Sequence, residues 1–245
     1  MNQLLTVLPF HSKPVVELWN RKRTRSCFFV MLSRCTTVMV KDKEDASPVV
    51  APTESANYMS FKGLTNFIQT KVAEAPNQTI FRVVRTADTL ADADHCTVLD
   101  DNYSTGLNLG SMFYGNTSGN INQSAARFTD ASQTQVGASS ATLVAATDID
   151  RASFSLIVTV TGATQTTVRN ETKGTIKTSA ANAFGRRPSQ LPFRIGSAYE
   201  GSTLYIGVCD MMFWSYHSVE LTSSEISKNV AKIRTLMLKL HGVSV

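Results

Sequence analysis

Charge is scarce in this chain. Of its 245 residues only 18% are Asp, Glu, Lys or Arg, and a net balance of +5 builds no long basic face. That argues against a function driven by charge, nucleic-acid binding above all. Cysteine is sparse as well. Cys27, Cys35, Cys96 and Cys209 are scattered, with no C-x-x-C pair and no paired histidines of the kind that build a zinc site. Reduced, mostly buried thiols are expected, with no cofactor and no metal centre. Apolar runs are short too: "CFFVML" (Cys27 to Leu32) cannot span a bilayer, and the basic "RKRTR" (Arg21 to Arg25) follows the first apolar segment instead of preceding it as in a secretory signal. The expectation is a soluble chain made in a cytosol, without membrane insertion.

Helical periodicity is nearly absent until the C-terminus, which leaves the β-formers to carry the fold. With 42% hydrophobic residues the chain can bury a substantial core, and its length fits one large all-β domain plus an extension. "TIFRVVRT" (Thr79 to Thr86) and "SFSLIVTVTG" (Ser153 to Gly162) are runs of β-branched and aromatic residues between polar turns. "TTVRNETKGTIKT" (Thr166 to Thr178) reads as a hairpin whose turn holds Asn170, Lys173 and Gly174. "KDKEDASPVVAPTESAN" (Lys41 to Asn57) has linker composition, so the spacing predicts an N-terminal arm and linker over 1–57 and a main domain over 58–245. Thr222 and Glu225 form a T-x-x-E capping box flanked by Leu221 and Ile226. A helix from Ser223 to about Leu240 follows, with Ile226, Val230, Ile233, Met237 and Leu240 in one apolar stripe and Gly242 as its cap.

The stretch "PFRIGSAYEGSTLYIGVCDMMFWSY" (Pro192 to Tyr216) is apolar on both faces. Alternation places Leu204, Ile206, Val208, Met212 and Trp214 on one side and Tyr205, Cys209, Met211 and Phe213 on the other, so a strand covered on both sides is expected. Together with "ELTSSEI" (Glu220 to Ile226), "YMSFKGLTNFIQT" (Tyr58 to Thr70) and the "NETKG" turn, this stretch resembles the concanavalin A-like lectin/glucanase superfamily, especially its laminin G-like members. Lys62 stands where the family usually has an acidic or amide residue, and the segment from Phe213 to Leu221 is longer than usual. The resemblance implies an antiparallel two-sheet jelly-roll sandwich, followed here by a C-terminal helix. Within that superfamily, "TIFRVVRTADT" and "LTSSEISKNVAKIR" are similar to domains of bacteriophage virion proteins such as tail appendages and capsid-associated fibres. That likeness implies a non-enzymatic virion structural protein, a location in the virion after assembly in the host cytoplasm, and other virion proteins as partners.

Three sets of residues carry the functional expectations. Sugars are held by an aromatic ring under the sugar face with amides nearby, and Tyr103, Asn108, Tyr114 and Asn116 offer this for a host-surface glycan. Asp92 and Asp94, with Asp148 and Asp150, are calcium candidates, although each loop supplies few oxygens. Arg21, Lys22, Arg23 and Arg25, with Ile226, Val230, Ile233 and Met237, are the candidate interface for a partner protein or for symmetric copies in a homo-oligomer. Two other readings stand beside the lectin-like one. A purely structural interaction module binds no glycan. A polysaccharide hydrolase or lyase needs facing carboxylates, and the E-x-D-x-E strand typical of the superfamily's glucanases does not occur here.

Overall fold

The computed structural model describes residues 27–31, 46–86, 95–104 and 109–245. Its strands are β1 (Cys27–Met31), β2 (Ser47–Val49), β3 (Thr53–Glu54), β4 (Met59–Lys62), β5 (Phe67–Ala73), β6 (Gln78–Thr86), β7 (Thr97–Asp101), β8 (Ser111–Gly115), β9 (Ile121–Phe128), β10 (Val136–Leu143), β11 (Ser155–Thr161), β12 (Thr166–Asn170), β13 (Thr175–Thr178), β14 (Pro192–Ile195) and β15 (Val208–His217). They form two antiparallel sheets. One runs β13-β12-β11-β6-β15-β4-β3, with β1 also on β15; the other runs β10-β9-β8-β7-β14-β5-β2. The result is the expected all-β jelly-roll sandwich with one C-terminal helix, α1 (Ser223–His241).

The core between the sheets takes alternate residues from each strand: Ile80 and Val84 of β6, Ile157 of β11, Leu99 of β7, Phe113 of β8, and Phe193 and Ile195 of β14. The opposite residues of the first sheet, Phe81, Val83, Leu156 and Val158, lie against Ile226, Val230, Ile233 and Met237 of α1. Strand β15 is therefore covered on both sides, as its composition requires. Its two faces nevertheless differ from strict alternation, because a bulge between Met211 and Phe213 shifts the register against β6. Met212 and Phe213 both turn to the helix, while Cys209, Met211, Trp214 and Tyr216 turn to the inter-sheet core. The expected strand also starts later: Thr203–Tyr205 is a 3-10 turn capped by Ser202, so Leu204 and Tyr205 precede the strand and do not belong to it.

The helix is set by local chemistry. Thr222 Oγ1 accepts from the Glu225 N–H while the Glu225 carboxylate accepts from the Thr222 N–H at 3.0 Å. Gly242 ends it in the left-handed region, φ 65°, where its N–H reaches Leu238 O and Met237 O. The stripe that was a candidate partner interface is internal: Ile226, Val230, Ile233 and Met237 are at most 4% exposed, because the sheet beneath them offers a matching apolar surface. Leu240 departs from the stripe and is half exposed.

The division at residue 57 is corrected as well. Strand β1 pairs with the second half of β15 while β4 pairs with its first half; β2 pairs with β5, and β3 with β4. The described part of the arm thus completes both sheets. Its linker-like composition suits sheet edges, where Pro48 and polar residues are tolerated because one side of the ladder faces solvent.

Candidate functional site

With α1 lying over the first sheet, the outer face of the second sheet is left uncovered by the helix. Val98 of β7, Met112 of β8 and Ala198 form a small apolar floor there, and Leu64, Tyr103, Tyr114 and Tyr205 pack around it half-buried. The floor continues across the sheet. Arg194 of β14, flanked in the ladder by Gln69 and Asp101, lays its guanidinium 3.8 Å from the Tyr199 ring centre and 4.6 Å from that of Phe67. Its Nε donates to Gln69 Oε1 at 3.2 Å and its Nη1 to Ala198 O at 3.0 Å.

Asp101 holds this surface in place. It is fully buried, and its two oxygens accept separately, Oδ1 from the Tyr103 N–H and Oδ2 from the Tyr199 N–H, each at 2.7 Å. One carboxylate thereby fixes two aromatic loops. Burial pushes its pKa up to about 7 against the lowering effect of those two N–H groups and of Arg194, with Asp100 adding to the rise. A close approach fixes the third loop. A Cβ on Gly63 would come within 1.9 Å of the Tyr205 carbonyl oxygen, so only glycine lets the β4–β5 turn pass beneath the 3-10 turn.

The tyrosine hydroxyls stay protonated at neutral pH. Desolvation raises the pKa of Tyr103, Tyr114 and Tyr199, and carries that of Tyr205 to about 12. A tyrosine hydroxyl can both donate and accept, while its ring offers an apolar face, which is the combination that sugar rings require; that of Tyr199 is already engaged, donating to Pro192 O at 2.6 Å and accepting from Gln69 Nε2 at 3.0 Å. General acid chemistry by Asp101 is blocked, since it has no exposed surface and both of its oxygens are engaged by backbone.

Of the four residues expected to hold a glycan, Tyr103 and Tyr114 meet in one cluster. Asn116 instead shapes the β8–β9 turn, its Oδ1 accepting from the N–H groups of Ser118 and Asn120 at 3.1 and 3.0 Å. Asn108 lies outside the described residues, as do Asp92, Asp94 and Arg21, Lys22, Arg23 and Arg25. Asp148 and Asp150 serve turns. The Val144 N–H, with Lys177, holds the Asp148 carboxyl below its ordinary range, and Ser153 with the Ala152 N–H does the same for Asp150. Among the described residues no group of three His, Cys, Asp or Glu side chains could hold a metal ion.

Sequence reasoning missed Asp101, Arg194, Tyr199 and Tyr205 as contributors. Tyr205 had been counted with a strand face, and a lone Arg between Phe193 and Ile195 gives no signal until the sheet shows it pointing outward. A second missed group lies inside the sandwich. Asp100 accepts from Arg82 Nε and, at 2.7 Å, Arg82 Nη2, and at 2.9 Å from Trp214 Nε1. Arg82 also lies 4.2 Å from the Phe113 ring centre. This constellation is sealed, with Arg82 0% and Asp100 1% exposed, and it acts as a cross-link between the sheets.

No family model and no curated protein matches the sequence. Solved structures do match the fold. The ligand-binding domain of botulinum neurotoxin serotype D, solved with N-acetylneuraminic acid, superposes with a TM-score of 0.59 at 10% identity over 81% of this chain and 48% of that one. The binding domain of Paraclostridial mosquitocidal protein 1 gives 0.57 at 11% identity, over 82% and 51%. A Trypanosoma rangeli sialidase gives 0.53 at 16% identity, over 87% and 34%. The chain therefore spans about half the length of the toxin domains it resembles, and what it shares with them is the β-sandwich fold.

Proposed function

We propose that this chain is a non-enzymatic, lectin-like binding domain that takes a glycan on the outer face of the β10-to-β2 sheet, over Tyr103, Tyr114, Tyr199 and Tyr205 beside Arg194. The observation that carries this reading is the asymmetry of the sandwich. One outer face is closed by a helix, and the other presents half-buried tyrosines, two of which, Tyr103 and Tyr199, are pinned through their N–H groups by one buried carboxylate. Receptor- and ligand-binding toxin domains of the same fold support a binding role, and Arg194 favours sugars that carry an acidic group.

The partners and location proposed are those of a phage virion, with the basic run Arg21, Lys22, Arg23 and Arg25 contacting other virion proteins; the support is the sequence likeness to virion domains. A homo-oligomer in this setting uses surfaces other than the helix stripe.

A glycan array probed with the full chain tests the central claim. Binding to a defined set of glycans, reduced at least about ten-fold by Tyr114→Ala in a chain that still unfolds cooperatively, is the expected result. Absence of binding to any glycan leaves the purely structural role, and release of reducing sugar from a polysaccharide would establish the hydrolase instead.

A further inference from the structure

At one end of the sandwich two buried arginines lie side by side. Arg127, at the end of β9, and Arg186, in the segment between β13 and β14, face each other across an isolated antiparallel bridge. The flanking bonds run from Phe128 N to Gly185 O and from Arg187 N to Ala126 O, so the arginines themselves form a non-hydrogen-bonded pair. In that arrangement opposite side chains approach most closely, with Cα atoms about 4.5 Å apart. Arg127 and Arg186, 1% and 8% exposed as residues, are thus held together away from water.

Their terminal nitrogens are occupied. Arg127 donates to Ala163 O, Gly162 O and Thr166 Oγ1 at 2.7, 3.1 and 3.1 Å. Arg186 donates to Ala75 O and Pro76 O, each at 3.2 Å, and pairs with Glu74. Both Nε–H groups, by contrast, are buried without a partner among the described residues. So is the hydroxyl of Thr161, which stands opposite Thr166 in the β11–β12 ladder.

The charges do not balance either. Glu74 is the carboxylate that acts on both arginines, and it is already committed to Arg186, to Ser111 Oγ and to the Ser189 N–H. Neutral oxygens are all that Arg127 contacts. One carboxylate is thus shared by two guanidinium groups, and burial together with Arg186 draws the Arg127 pKa down to about 10 although Glu74 acts to raise it. Buried charge without a counter-charge is costly, and buried donors without acceptors add to the cost.

We propose that this pair binds one small monovalent anion, of the size and charge of chloride, between the Nε–H groups of Arg127 and Arg186 with the Thr161 hydroxyl beside them. A bridging water would satisfy the donors, and it would also satisfy Gln78 Oε1, which is buried without a partner opposite Thr161. It would leave the charge as it is. The anion answers both deficits and ties β9, the 179–191 segment and the β11–β12 turn into one unit.

The test uses the full chain dialysed into sodium gluconate, with chloride substituted at constant ionic strength. A saturable rise in melting temperature is expected, roughly 3–5 °C once chloride exceeds its dissociation constant ten-fold. Arg127→Gln should abolish the response. Because that variant can fail to fold, bromide replaces chloride in crystals of the unaltered protein, where anomalous scattering should place a peak between the two Nε atoms. Equal melting temperatures in gluconate and chloride, or no bromide peak at this position, would show that water alone fills the site.

Discussion

The two outer faces of the sandwich are built from the same alternation and end in opposite uses. On the β6–β11–β15 side the outward residues are Phe81, Val83, Leu156, Val158, Met212 and Phe213, and a helix is needed to keep them from water. On the β7–β8–β14 side they are Val98, Met112, Tyr114 and Arg194, with Tyr103, Tyr199 and Tyr205 supplied from outside the strands. Burial on the first face is complete and non-directional, which favours stability. The second face keeps its polar atoms within reach of solvent and fixes their positions through backbone hydrogen bonds, which favours recognition at a small cost in burial.

Substitutions should separate these two uses, and the largest effect belongs to the closed face. Ile233→Asp places an unpaired carboxylate under the helix and should prevent cooperative folding, while Ile233→Ala should cost roughly 2–5 kcal/mol in chemical denaturation with glycan binding intact in the folded fraction. A stable, folded Ile233→Asp chain would mean that the helix is not part of the core.

A difference in pH dependence comes next. Asp101 on the open face has its pKa raised to about 7, so its contribution is fully present below the unfolded value of 3.8 and is lost as pH rises through 7. His217, buried beside Phe81 under the closed face, has its pKa lowered by desolvation to about 4. Its contribution is present above the unfolded value of 6.5 and is lost as pH falls toward 4. The two slopes oppose each other between about pH 4 and 6.5, each on the order of a few kcal/mol. Asp101→Asn should therefore unmask a stability that climbs with pH across this window, read from denaturation curves at about pH 4.5, 5.5 and 6.5. An unchanged profile would remove Asp101 from its assigned role. The same variant leaves one of the N–H groups of Tyr103 and Tyr199 facing an amide donor, and should weaken glycan binding at every pH.

Smaller effects complete the contrast. Tyr114→Ala should cost less than roughly 2 kcal/mol of stability while reducing glycan affinity at least about ten-fold. Thr222→Ala removes the cap of α1 and should cost about 1 kcal/mol with no effect on binding. If both variants changed stability alone, the open face would be ordinary surface.

The closed face was far more legible in the sequence than the open one, for a physical reason. Helix boundaries are written locally, in Thr222, Glu225 and Gly242, and a strand buried on both sides shows its composition directly. The hairpin from Thr166 to Thr178 was legible for the same cause, and Gly174 sits at φ 73°. The bulge in β15 was not, because one extra residue puts Met212 and Trp214 on opposite faces without altering composition. Edge strands β2 and β3 were read as linker, since an edge needs little apolar surface. The open face depends on which loops a distant sheet brings together. Tyr103 and Tyr114 could be guessed from their polar surroundings, whereas Asp101, Arg194 and Tyr205 become neighbours only through long-range pairing.

The position of β15 also orders events in time. It follows every other described strand of the sandwich in the chain, yet it lies in the interior of its sheet, with β6 along one edge and β4 and β1 in tandem along the other. Until residue 217 has left the ribosome, β6–β11–β12–β13 and β4–β3 are two unjoined half-sheets with exposed edges. The half-sheets must therefore remain guarded until β15 and α1 emerge, and any message truncated before Val208 yields a product that cannot close. Conversely, a peptide covering β15 and α1 supplied in trans is the piece that such a truncated chain lacks, and adding it offers a way to start folding on demand.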